Sequence, residues 1–383
     1  MTYSVYSPGR QVAQRLQDHF ARYLRDAAAQ PCVPGQPTIA PLPPVDAIDA
    51  LIDAGFWTSL RREEGYIPKI SMALLPPDAS PQPLCFERPL PLAPAALAKV
   101  APAVERAGIH LGVWSDADGW AVWGTTRLLP RHSLVLEVSA PGLLVVKQHR
   151  GGDLTKYTNV AVLEGDQVKV VDENASSLPD CPSLLSSLLG FDAPGTWSDS
   201  VNVLVQMAVS MRAHGRGGLL LIVPHASDEW RPSIVPPILY ALQPPFAEMS
   251  FLMRKANEHR GDGLWRDALS RTVSAIAGLT AVDGATLLTD EYALLAFGAK
   301  IARKRGATPV EQVTVTEPIE GGMAQVLAPT ELGGTRHLSA AQFVHDQQDA
   351  VALVASQDGR FTIFAWSPCE KMVHAHRVET LLL

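Results

Sequence analysis

The sequence predicts an α/β chain in two parts. A strand-rich α+β N-terminal domain precedes a C-terminal domain built on a mixed sheet with flanking helices. Three observations predict this. Between residues 110 and 170, short apolar runs alternate with turn sequences, as in HLGVW-SDADG-WAVWG, LVLEV-SAPG-LLVVK and VAVLEGDQVKVV, the period-2 signature of hairpins. Beyond residue 198, apolar residues recur at helical spacing and are punctuated by short continuous apolar runs such as GLLLIVP, the pattern of a strand buried on both faces. Between these halves, residues 173–195 are rich in Ser, Pro, Asp and Gly, so the domains are placed at 1–195 and 196–383.

Taken in order, residues 9–29 read as a helix with Val12, Leu16, Phe20 and Leu24 on one face, and residues 45–60 as a second with Ile48, Leu51, Ile52 and Trp57. The proline-rich tracts 31–44 and 76–94 read as an extended connector and a loop. In the second half, residues 198–213 form a helix with Ser198, Asp199 or Ser200 as cap, and 218–224 a strand. A proline-broken insertion precedes a helix over 263–279. A strand pair around Asp290 and Glu291 follows, then a helix over 337–346 and two last strands joined by the turn QDG.

At 383 residues the chain is long enough for two cores, and 47% hydrophobic with 19% charged residues is an ordinary globular composition. The net charge of −7 excludes a global basic field, so long nucleic acid is not an expected partner. Cys32, Cys85, Cys181 and Cys369 are scattered without metal-ligand spacing and read as reduced thiols. With no apolar run of about 18 residues and a polar start, the expectation is a cytoplasmic protein without membrane contact.

Two short motifs carry chemistry. Asp283-Gly284-Ala285 lies where a helix gives way to a strand, and Gly333-Gly334-Thr335-Arg336-His337 lies before the last helix. Each alone is weak, since Asp-Gly is commonly a turn. In order they run helix, GLLLIV strand, helix, DGA strand, hairpin, GTRH, helix, strand, serine turn, strand. That succession resembles the bacterial diadenylate cyclase domain from about residue 198 onward, with LGGTRHLSAA and VASQDG as counterparts of its later motifs. The N-terminal half, through SLRREEG and the strands after His110, is similar to the sensor domain termed DACNV that precedes some of these cyclases.

The resemblance implies that two ATP molecules are joined into cyclic di-AMP by a homodimer or higher homo-oligomer with facing active sites. Asp283 would hold Mg²⁺ or Mn²⁺, because such ions take oxygen ligands and offset phosphate charge. Asp283, Arg336 and His337 are the expected catalytic residues. Gly284, Ala285, Gly334, Thr335, Arg336, His337 and Ser356 are the expected ATP contacts. Thr335 and Arg336 fall at a helix N-terminus, where free N–H groups and the dipole favour anions. The adenine slot is placed at Leu294-Leu295. The chain holds one DGA and one GTRH for a reaction symmetric in its substrates, so two chains must meet about a twofold axis.

The motif departs from the family at Leu338, where an arginine is usual, and Arg360, Arg254, Lys255 or Arg260 are candidate substitutes. Gln357 stands where an acidic residue often follows the serine. These departures sustain an alternative, a nucleotide-binding sensor of the same fold without turnover. A third reading treats both motifs as turns of an interaction module. GRGG precedes a strand and reads as a tight turn, not a phosphate loop. His374 and His376 read as a solvated tail. Trp114, Trp120 and Trp123 read as core or cross-strand residues.

Overall fold

The computed structural model describes residues 5–28, 38–116, 119–150, 157–172, 203–255 and 262–383. Contacts divide the chain into Met1–Val171 with Leu383, and Asp172–Leu382. The boundary expected at 195, the tract around it, the caps at Ser198 to Ser200 and Arg260 lie outside the described residues.

In the first unit, helices α1 (Ser7–Ala28), α2 (Val45–Ser59) and α3 (Pro94–Val100) accompany eight strands. These are β1 (Ile70–Leu74), β2 (Pro83–Pro91), β3 (His110–Asp116), β4 (Gly119–Thr126), β5 (Leu134–Ala140), β6 (Leu143–His149), β7 (Tyr157–Glu164) and β8 (Gln167–Val170). They form one sheet in the order β2-β4-β3-β1-β5-β6-β7-β8, in which β1 and β3 run parallel and the other neighbours antiparallel. The pleat sorts the side chains. Met72, Leu74, Leu111, Val113, Leu136 and Leu144 meet Leu16 and Phe20 of α1 and Ile48, Leu51 and Ile52 of α2 in the main core. Ala73, Leu75, Trp123 and Val135 form a smaller cluster of their own. The three expected hairpins are β3–β4, β5–β6 and β7–β8.

In the second unit the strands are β9 (Gly218–Val223), β10 (Tyr240–Phe246), β11 (Ala285–Thr289), β12 (Leu294–Ala299), β13 (Val313–Thr316), β14 (Gln325–Leu327), β15 (Val351–Ala355), β16 (Phe361–Ser367) and β17 (Met372–Arg377). The helices are α4 (Val203–Ala213), α5 (Glu248–Arg254), α6 (Gly263–Leu279), α7 (Pro329–Leu332) and α8 (Thr335–Asp346). The nine strands lie in the order β10-β12-β11-β9-β15-β16-β17-β13-β14. The pairs β9/β11 and β13/β17 are parallel.

Strand β9 explains its own sequence. Leu220 and Ile222 pack with α4 and α6, whereas Leu219, Leu221 and Val223 pack with Ala340, Phe343 and Val344 of α8, so no position is left for a polar residue. Both units are thus mixed α/β sheets.

Three expectations are corrected. The tracts read as a loop at 76–94 and as a broken insertion after residue 224 contain β2 and β10. Both are outermost strands, where a proline's missing N–H interrupts no interior ladder. The expected solvated tail is β17, an interior strand between β16 and β13, with His374 and His376 both buried. His374 Nε2 lies 2.8 Å from Glu370 Oε2, and His376 Nδ1 lies 2.7 Å from Thr316 Oγ1. No described helix is long and apolar enough to cross a membrane.

Candidate functional site

Strand pairing gathers the two motifs at one end of the second sheet. The register sets Gly218 opposite Ala355 and Ala285 opposite Ala299, while Thr286 runs beside Leu220. Gly217, Asp283-Gly284, Lys300 and the turn Ser356–Gly359 therefore share one edge. Helix α8 packs beneath β15 and begins at that edge. A Cβ built on Gly217, whose φ is +69°, would stand 2.9 Å from Arg336 Nη1, 3.3 Å from Ala355 O and 3.4 Å from Gln357 Cγ. The guanidinium thus rests against a bare backbone, and Gln357 Nε2 donates to Arg216 O at 3.4 Å beside it.

Asp283 is almost fully exposed. Its Oδ2 accepts from Lys300 Nζ at 2.6 Å, and the same ammonium donates to the Asp283 carbonyl oxygen at 3.2 Å. Lys300 holds the carboxyl below the usual carboxylate range, with Arg336 acting in the same direction. Asp283 and Arg336 are within electrostatic reach of each other. Gly284 has φ +122°, and a Cβ there would meet the Gly298 carbonyl carbon at 2.5 Å. Close approach of the β11–β12 backbones demands this glycine.

The remaining expected residues fall into two groups. Gly334 caps α8 without a side-chain bond to its first turn, and open space surrounds the position a side chain would take there. Thr335 beside it is exposed. Free N–H groups at a helix start favour anions. Ser356 bonds through its side chain to Asp358, which lowers that carboxyl, and Ser356 N donates to Arg360 O at 2.9 Å. The acidic partner of the serine is therefore Asp358, one position beyond Gln357.

His337 and Ala285 differ from expectation. The Ala285 side chain lies in the core shared with α8. The His337 ring is buried, edge-on to Phe364 with centroids 6.0 Å apart, and pressed against Gly333. Burial lowers its pKa, with Asp358 opposing and Arg377 and Arg360 adding to the shift, and the ring forms part of the wall at the base of α8. Leu294-Leu295 is also displaced from the expected role, since Leu294 pairs with Leu288 at the far end of the sheet and is buried.

Sequence reading missed four side chains at this edge. Lys300 was recoverable from the hairpin register, which brings it beside Asp283. Arg216 adds a further cation. His214 accepts from Arg216 N through Nδ1 at 3.2 Å, which leaves Nε2 to donate to Thr280 Oγ1 at 3.2 Å. Its pKa is lowered by burial first, then by Arg216, with Arg336 contributing. Tyr240, half exposed on β10, stacks on Phe297 with centroids 4.8 Å apart at 5° and touches the Gly298 position. It presents an aromatic face beside Asp283-Gly284.

Arg216, Lys300, Arg336 and Arg360 outnumber Asp283 and Asp358 here, a local positive excess on an acidic chain. Among the described residues no group of three His, Cys, Asp or Glu side chains is arranged to hold a metal. Asp283 is the exposed carboxylate of this edge, and its partner there is the Lys300 ammonium.

Residues 37–127 match a family model described as "Probable sensor domain DACNV". The match runs from before α2 through β4, so the sensor reading of the N-terminal unit rests on a family likeness. No curated protein matches the chain.

Proposed function

We propose that the C-terminal unit is a diadenylate cyclase that condenses two ATP molecules into cyclic di-AMP and releases two pyrophosphates, under control of the N-terminal sensor unit. The supporting observation is the convergence of Asp283-Gly284, the head of α8 with Arg336, and the Ser356 turn at one cationic sheet edge. DGA and GTRH are far apart in sequence, and turns serving only local structure have no reason to meet.

In this reading the triphosphate lies across the start of α8, with Thr335 and the free N–H groups of the first turn as donors. Arg336 and Arg216 grip its oxygens, and Tyr240 offers a stacking face for adenine. The 3′-hydroxyl of each nucleotide attacks the α-phosphorus of the other and loses its proton to water, the two bonds to the β-phosphate oxygens break, and two pyrophosphates leave. Asp283, kept ionised by Lys300, orients the attacking hydroxyl by accepting its hydrogen bond. Asp283 would be the carboxylate that holds Mg²⁺ or Mn²⁺, and that ion would offset phosphate charge and lower the hydroxyl pKa. Each protomer offers one such edge, so turnover needs two chains facing each other.

The test is incubation of the full chain with ATP and either cation, with cyclic di-AMP measured by chromatography. Product formed by the wild type and lost in Asp283→Asn supports the cyclase. ATP binding without product under both metals refutes it and leaves the binding-only sensor, the reading that buried His337 favours.

A further inference from the structure

A polar cavity lies in the N-terminal unit, well separated in sequence from the cationic edge. It has a volume of about 370 Å³ and opens at the start of β1, the segment leading into β3, and the end of β5. Ionisable groups line it. His110 is buried and bonded at both nitrogens, to Ser71 Oγ at 2.7 Å through Nδ1 and to Tyr157 Oη at 2.8 Å through Nε2. Lys147 Nζ pairs with Glu137 Oε2 at 2.5 Å, and its side chain is only 15% exposed. An ammonium has three donors. Glu137 is the one partner of Lys147 among the described residues, so two donors remain. At the mouth, Lys69 and Arg106 are exposed and have no ion-pair partner among the described residues. The cavity thus carries three cations against Glu105 and Glu137, and Val104, Val135 and Val138 supply apolar wall.

We propose that this cavity is the ligand site of the sensor unit, and that it takes a compact organic acid with one carboxylate or phosphate head, the head on Lys147 and the body against the valines. A pocket of a few hundred Å³ with a few convergent polar groups in an apolar wall is the ordinary form of a small-molecule site. A largely buried ammonium with spare donors gains most from an anionic oxygen. His110 stays uncharged, its pKa pushed down to about 4 chiefly by burial and then by His149. With Ser71 and Tyr157 it forms a fixed hydroxyl–imidazole–hydroxyl floor that adds polarity without competing charge. Glu137 competes with the ligand for Lys147.

The inference does not depend on the cyclase reading, and its test keeps the two apart. The full chain is titrated calorimetrically with two matched pairs, glycerol 3-phosphate against glycerol and hexanoate against 1-hexanol. One anion binds, at least about tenfold more tightly than its neutral counterpart, because the head contributes a charge-assisted bond. Which pair responds separates phosphate from carboxylate. Lys147→Met abolishes that binding, Glu137→Gln tightens it several-fold by freeing the ammonium, and Arg336→Ala at the other site leaves it unchanged. The inference is overturned if neither anion binds up to about 10 mM, or if the neutral partner binds equally well. It also fails if Glu137→Gln, which leaves the apolar wall intact, does not tighten binding.

Discussion

Lys300 Nζ stands 2.6 Å from Asp283 Oδ2 and 3.2 Å from the carbonyl oxygen of the same residue, so one ammonium clamps both the side chain and the backbone of the DGA turn. The clamp keeps Asp283 ionised below its ordinary range. Lys300→Met removes the chief cause of that depression, so the Asp283 carboxyl titrates at higher pH. Carbon-detected NMR of that carboxyl reads the shift directly. The acid limb of cyclic di-AMP formation, where turnover is observed, moves to higher pH with it. An Asp283 titration curve indifferent to the substitution would show that the pair does not persist in solution.

Two glycines at the edge separate folding from binding. A Cβ at Gly284 would press on the Gly298 backbone at φ +122°, and neither strand can retreat without breaking the β11–β12 ladder. Gly284→Ala therefore lowers stability by roughly 1–3 kcal/mol or more. At Gly217 the nearest atom is the far end of Arg336, which is free to swing aside. Gly217→Ala costs about 1 kcal/mol for its positive φ and weakens ATP binding by displacing the guanidinium. Urea unfolding and ATP calorimetry on the two variants check the contrast. Equal stability losses in both would contradict it.

Most of the architecture was legible because it rests on periodicity. Leu220 and Ile222 alternate with Leu219 and Leu221 between two helical layers, and an uninterrupted apolar run is the one way to write such a strand. The edge strands β2 and β10 were not legible, since Pro83, Pro89, Pro91, Pro244 and Pro245 carry a loop composition that an outermost strand tolerates. Asp283 and Arg336 were legible as short motifs. The fate of His337 was not: it follows the polar pair Thr335-Arg336, and the ring it packs against is Phe364, a residue brought in by β16. Lys300 lay between these cases, visible only after hairpin register is imposed.

Leu338 occupies the position where the resembled family carries arginine. It follows Arg336 by two residues, so the helix turns it about 200° away. It borders a depression lined by Ile301, Arg303, Val310 and Gln342, while Arg336 faces Gly217 and Gln357. Arginine at this position would share that depression with Arg303, on a different face of α8 from the edge where the proposed function places the phosphates. Leu338→Arg is expected to leave ATP affinity within about twofold and stability within about 0.5 kcal/mol, as for an ordinary surface change. A tenfold gain in affinity would show that the two faces of α8 serve one nucleotide.

Buried histidines set the acid limit of the fold. His376 is enclosed in β17 against Thr316, and burial lowers its pKa to about 3, with His374 adding to the effect. An unfolded-chain histidine titrates near 6.5. The folded value lies below the unfolded one, so the unfolded chain takes up the proton first. The contribution of His376 is complete above about pH 6.5 and drains away as pH falls toward 3, at up to about 1.4 kcal/mol per pH unit. In the N-terminal unit His19, lowered to about 3, and His110, lowered to about 4, act in the same direction. Urea midpoints should hold steady from pH 8 to 7 and fall steeply between about 6 and 4. His376→Asn, which cannot take up that proton, should flatten the fall while lowering stability at pH 7. A wild-type midpoint unchanged down to about pH 4.5 would mean that these rings bind protons without leaving the fold, and that the core of β17 admits charge.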